Sequence, residues 1–140
     1  MPSRLRLVIL MISGVLLVAL GVLHLAVTPH IARLVQRGAA AGEVEWLTPP
    51  MLLNHVVVGI LLLPLGALTA YAAPHAARGA RWALVVSRVT AVTVATLPAT
   101  VFALMGTRYF GAMPFLIATG IACAVSVTLF IAAFWPAPRS

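Results

Sequence analysis

The chain has 140 residues, 63% of them hydrophobic and only 8% charged, with a formal charge of +7 and a mean hydropathy of +1.13. Soluble domains carry about 25% charged residues, so the charge needed to solvate a water-facing surface is missing and a soluble globular domain is excluded. All nine basic residues are arginines, scattered singly or in pairs with no basic stripe between aromatics, which argues against a nucleic-acid partner and for charges that orient the chain in a membrane.

Apolar runs of roughly 20 residues recur, the length needed to cross ~30 Å of hydrocarbon. They predict an all-α integral membrane protein, a four-transmembrane-helix up-down bundle with a short outer interfacial helix. A single domain, 1–140, carries spans at about residues 7–28, 50–73, 82–105 and 114–135. The lipid bilayer replaces the polar shell. Arginine without lysine, and abundant Ala, Val and Leu, resemble coding from a GC-rich bacterial genome and suggest a bacterial inner membrane. Cys123 stands alone in an apolar run, so no intrachain disulfide or CxxC chemistry is available.

The N-terminus, MPSRLRLVILMISG, has the look of a signal-peptide start, but its apolar run continues to about Val27, too long for such a segment. It reads as a retained first span. Thr28-Pro29 then punctuates the chain, because proline disfavours α conformation in the residue before it and Thr before Pro can cap a new helix. Pro29 to Arg37 sets Ile31, Leu34 and Val35 apart from His30, Arg33, Gln36 and Arg37. That pattern suits a short helix lying at the interface, or a kinked continuation of the first span. Gly38 and Gly42 bracket a flexible run, followed by Glu43, Glu45 and Trp46 at the water–lipid boundary.

Thr48-Pro49-Pro50 repeats the capping signal and opens the second span, with Pro64 expected to kink it near its middle. A short basic loop, Pro74 to Arg81, contains His75. The third span carries Arg88, expected to snorkel back to the headgroups, and a polar stripe of Thr93, Thr96 and Thr100 with Thr90 off it. Gly106 to Met113 forms a turn with Arg108 and Tyr109, and the fourth span follows. Arg4, Arg6, Arg78, Arg81 and Arg139 fall on one side, against Arg33, Arg37 and Arg108 on the other. The positive-inside rule therefore favours cytoplasmic termini and puts residues 24–55 on the outer face.

Residues 24–55 hold three of the four histidines and both acidic residues. Outward along the first span come Gly14, Gly21 and His24; inward along the second come His55, Gly59 and Gly66. At 3.6 residues per turn each set lies on one face, and glycine faces let transmembrane backbones approach closely. An antiparallel pair packed through them brings Gly21 to Gly59 and His24 to His55. Measured from expected helix ends at Thr28 and Pro50, both imidazoles lie ~6–8 Å down their helices. Ionisable residues within spans are functional candidates by default, although each imidazole can also be held structurally by a backbone carbonyl or by Asn54.

A functional pair has three ligand types open to it. Haem b takes two axial imidazoles from facing helices, but close glycine packing leaves little width for the macrocycle. Copper or zinc suits imidazole, and the candidate metal set is His24, His55, His30, Glu45 and Met51, with Glu43, Met105 and Met113 also near that surface. A quinone-like or lipid ligand needs an apolar pocket and a polar contact; His24, His55 and Asn54 are the candidate binding residues, with Trp46 and Tyr109 as lining.

No phosphate-binding glycine loop, HExxH, Gly-x-Ser-x-Gly or CxxC motif occurs. No acidic residue lies within a span, which argues against a proton-coupled carrier. The expected function is a paired-histidine binding site near the outer face, possible as a redox component. The alternative is a non-catalytic subunit or assembly factor whose glycine faces pack on a membrane-protein partner or in a homo-oligomer. In size, topology and low charge the whole chain resembles small four-span bacterial families such as the DoxX-like proteins; no motif carries that resemblance, and it implies no residue role.

Overall fold

The computed structural model describes residues 1–38, 44–106 and 113–136. Among the described residues the regular structure is helical throughout: α1 is Ser3–Gly38, α2 Val44–Ala77, α3 Arg81–Met105 and α4 Met113–Phe134. All four are long and apolar enough to cross a membrane. Hydrocarbon supplies no hydrogen-bond partners, so a spanning backbone satisfies itself as helix. The chain is a multi-pass membrane protein with the expected all-α, four-helix fold.

The helix boundaries depart from the expected ones at both Thr-Pro signals. Residues 29–37 do not form a separate interfacial helix; α1 runs through Pro29 to Gly38, the continuation that the same pattern allows. Likewise α2 starts at Val44, ahead of Thr48, and continues past Pro64. The reason is visible at the threonines. Thr28 Oγ1 donates to the His24 carbonyl at 2.9 Å and Thr48 Oγ1 to the Val44 carbonyl at 2.6 Å. Each hydroxyl bonds back to its i−4 carbonyl instead of capping a new helix, which lets the backbone continue.

The chain forms two compact units: Val15–Ala67, and Met1–Gly14 with Leu68–Ser140. Val15–Ala67 is a helical hairpin built from the C-terminal part of α1 and the N-terminal part of α2; Leu17 and Leu62 are buried in it. In the other unit α3 packs against α4. Beside Leu10, Leu129, Val94 and Val125, many of its buried positions are small, including Ala72, Ala76, Ala83, Ser87, Ala91 and Ala132, the composition that brings transmembrane helices close. Large apolar side chains such as Val85, Val89, Ile117 and Ile131 are exposed instead. That inversion suits lipid, which solvates leucine as well as a core does.

Ser126 Oγ donates to its own helix at the Ala122 carbonyl, 2.7 Å, and lies 3.4 Å from the Val94 carbonyl on α3. The expected threonine stripe faces outward: Thr93, Thr96 and Thr100 are exposed. Thr90, placed off that stripe, is 2% exposed and packs inside.

Candidate functional site

Within Val15–Ala67 the two helices meet through glycine. A Cβ on Gly21 would stand 2.8 Å from the Gly59 carbonyl oxygen, and one on Gly59 would stand 3.0 Å from the Leu25 side chain and 3.1 Å from the Gly21 carbonyl oxygen. A side chain at either position would separate the backbones. His24 follows Gly21 by three residues and His55 precedes Gly59 by four, so both imidazoles lie one turn along from the contact, on the same face. Their rings lie against each other, with centroids 4.7 Å apart and planes tilted by 30°. The expected pairing is what the fold forms.

The two rings differ chemically. His24 Nδ1 lies 3.0 Å from the Leu20 carbonyl oxygen. A carbonyl only accepts, so Nδ1 carries hydrogen and donates, and the neutral ring keeps its lone pair on Nε2. His55 Nε2 is buried and has no hydrogen-bond partner. A buried polar atom left unpaired costs about 1–3 kcal/mol, more than most side chains recover from one good contact. The pair therefore combines an oriented ring with one whose Nε2 is unpaired.

The helix extensions change the setting of the pair. His24 lies 14 residues before the end of α1 at Gly38, and His55 11 residues after the start of α2 at Val44. At 1.5 Å per residue that is about 16–21 Å along the helices, well beyond the expected 6–8 Å. The pair is set deep in the hairpin.

The neighbours expected to join it do not gather there. Among the described residues no three His, Cys, Asp or Glu side chains are grouped to share a metal ion. His30 and Glu45 are exposed, Asn54 is exposed, and Met51, one turn before His55, is 50% exposed. Asn54 adjoins His55 in sequence and so points about 100° away around the helix. Of His24, His55, His30, Glu45 and Met51, the fold brings together the first two. Glu43, Arg108 and Tyr109 lie outside the described residues, as do the side chains of Trp46 and Met105.

Haem does not fit between these rings. Two metal–nitrogen bonds of about 2 Å, plus half a ring on each side, set axial imidazole centroids roughly 6 Å apart. The observed 4.7 Å and the backbone contact beneath it leave no room for a macrocycle.

One residue that sequence reasoning passed over is Arg6, assigned to the N-terminal tail. It is 1% exposed. Its Nη2 donates to the Trp135 and Pro136 carbonyls, the latter at 3.2 Å, while Nε has no partner. Arg88 reaches the same helix end: its Nε donates to the Ala133 carbonyl at 3.4 Å and its guanidinium lies 5.6 Å from the Phe134 ring centre. Two arginines thus occupy the unsatisfied carbonyls and negative dipole end of α4. The signal was present, because Arg6, Leu10, Ser13 and Leu17 recur at intervals of four, three and four and are all buried.

No protein-family model, curated protein or solved structure matches this chain.

Proposed function

We propose that this chain is a bacterial inner-membrane binding protein whose His24–His55 pair holds the polar head of a quinone-like, lipid-soluble ligand. The observation that carries the reading is His55 Nε2, buried and unpartnered beside a second imidazole. An oxygen on an apolar molecule arriving through the bilayer would satisfy that nitrogen, and Leu25 and Leu63, which pack on the neighbouring Gly59 and Gly21, suit its hydrocarbon. Two imidazoles without a carboxylate or thiolate provide hydrogen bonds more readily than a complete zinc site. Any redox work would belong to the ligand, with the histidines orienting it and exchanging a proton at its oxygen. The arginine distribution favours cytoplasmic termini.

A second reading is a single copper ion. It is favoured by the His24 Nδ1–H bond to the Leu20 carbonyl, because metal-ligating histidines commonly donate their other N–H to a carbonyl and aim the remaining lone pair at the metal. The subunit reading, in which glycine faces are reserved for partner proteins, loses Gly21 and Gly59, which occupy each other.

Protein purified from membranes, extracted with organic solvent and analysed by chromatography and for copper, tests both. A quinone-like molecule in near-stoichiometric amount, lost in His55→Ala and His24→Ala but kept in Asn54→Ala, is the expected result. Copper in its place selects the second reading. Protein free of both, which also fails to take up added short-chain quinone or copper, overturns the binding function.

A further inference from the structure

The turn between α2 and α3 carries a second cluster, unrelated to the histidine pair. It lies within Leu68–Ser140, where the span ending at Ala77 meets the span beginning at Arg81, so it sits at a membrane surface. The turn is rigid. Gly79 has φ +82°, the Ala80 amide donates to the His75 carbonyl at 3.0 Å and the Gly79 amide to the Ala76 carbonyl at 3.1 Å. That is the paired bonding of a Schellman cap, which needs a left-handed residue at the glycine. The fixed turn brings the end of α2 onto the start of α3: His75 and Trp82 rings are 5.0 Å apart, with Tyr71 5.9 Å from His75 and 6.0 Å from Trp82.

The polar groups of this cluster are donors. Arg78 Nη2 lies 3.2 Å from His75 Nδ1. A guanidinium only donates, so Nδ1 accepts, and the neutral ring presents Nε2–H. The Trp82 indole N–H, the Tyr71 hydroxyl and the Arg78 and Arg81 guanidinium groups add further donors. Tyr71 is 67% and Trp82 47% exposed, and both arginines are exposed. Neither Met1–Gly14 nor Leu68–Ser140 contains an Asp or Glu. The cations therefore have no acidic side chain within their own unit.

We propose that the α2–α3 turn is a binding site for the phosphate of an anionic phospholipid headgroup, gripped by Arg78 and Arg81 with Trp82, Tyr71 and His75 alongside. Guanidinium forks match phosphate oxygens two at a time. Tyr and Trp place their rings among acyl glycerols while their polar edges meet headgroups, which favours a lipid over a soluble anion. Basic residues at such a surface are attracted to anionic lipid. The His75–Arg78 contact holds the first guanidinium before lipid arrives, so little side-chain freedom is lost on binding.

The test uses full-length protein carrying Trp46→Phe and Trp135→Phe, so that Trp82 is the sole tryptophan excited at the red edge of the absorption band, in nanodiscs doped with brominated phosphatidylglycerol or brominated phosphatidylcholine. The site predicts several-fold stronger quenching at equal doping by phosphatidylglycerol, reduced to no preference in Arg78→Gln/Arg81→Gln. Circular dichroism checks that the double variant keeps its helices, and Arg78→Lys/Arg81→Lys, which retains charge without the fork, recovers part of the preference. Equal quenching by both lipids, or a preference that survives Arg78→Gln/Arg81→Gln, overturns the proposal. So does inorganic phosphate that abolishes the preference where chloride at equal ionic strength does not, since that outcome assigns the site to a soluble anion.

Discussion

A methyl group on Gly21 would stand 2.8 Å from the carbonyl oxygen of Gly59, closer than carbon and oxygen tolerate, and both atoms belong to backbone or its first branch. The hairpin geometry of the histidine site rests on this contact. Gly21→Ala should therefore destabilise the protein by about 1–3 kcal/mol, as overpacking does, despite the better helix propensity of alanine. Gly59→Ala, whose nearest neighbour is the movable Leu25 side chain at 3.0 Å, should cost less. Unfolding in a mixed-micelle denaturation series measures both. Equal stability of Gly21→Ala and the parent protein would contradict the close contact.

Arg6 supplies a separate prediction. Its buried guanidinium donates to the Trp135 and Pro136 carbonyls, and a hydrogen bond to a charged group is worth about 1.5–3 kcal/mol. Arg6→Gln should lower stability by roughly 2–3 kcal/mol, and hydrogen exchange should accelerate at the C-terminal turn of α4. Arg4→Gln, at an exposed position, should change neither. If Arg6 were part of a solvated tail, the two variants would behave alike.

The threonines test how the helix boundaries arise. Loss of an N-cap costs about 1 kcal/mol, whereas loss of a back-bond to an i−4 carbonyl within a continuous helix costs little. Thr28→Val and Thr48→Val should each shift stability by less than about 0.5 kcal/mol and leave the helix content unchanged. A full capping penalty at either position would indicate a helix start there, in place of the continuous α1 and α2.

What was legible from residues alone follows from these cases. The four spans were plain, because run length and missing charge decide them in lipid. The paired histidines were legible too, since intervals of three, four and seven put Gly21 and His24, and His55 and Gly59, on shared faces. The ends of α1 and α2 were not. Thr-Pro is compatible with a helix start or with a continuing helix, and only the hydroxyl's partner separates a cap from a back-bond. His30 and Glu45, expected in the connection between the spans, stand instead on the extended helices, about two turns from His24 and three from His55. Arg6 was hidden by its position near the terminus, where its stripe with Leu10 and Ser13 was outweighed by its charge.

The proposed function requires that a ligand complete the buried His55 nitrogen. The direct measurement is nitrogen NMR of protein labelled with ¹⁵N-histidine in detergent, with and without a short-chain quinone. The His55 Nε2 resonance should move on ligand addition, with a smaller response at His24, while His30 and His75 stay in place. Saturation should occur at one ligand per chain, and His55→Ala should abolish the response at His24. No shift at His55, or equal small shifts at all four histidines, would contradict it.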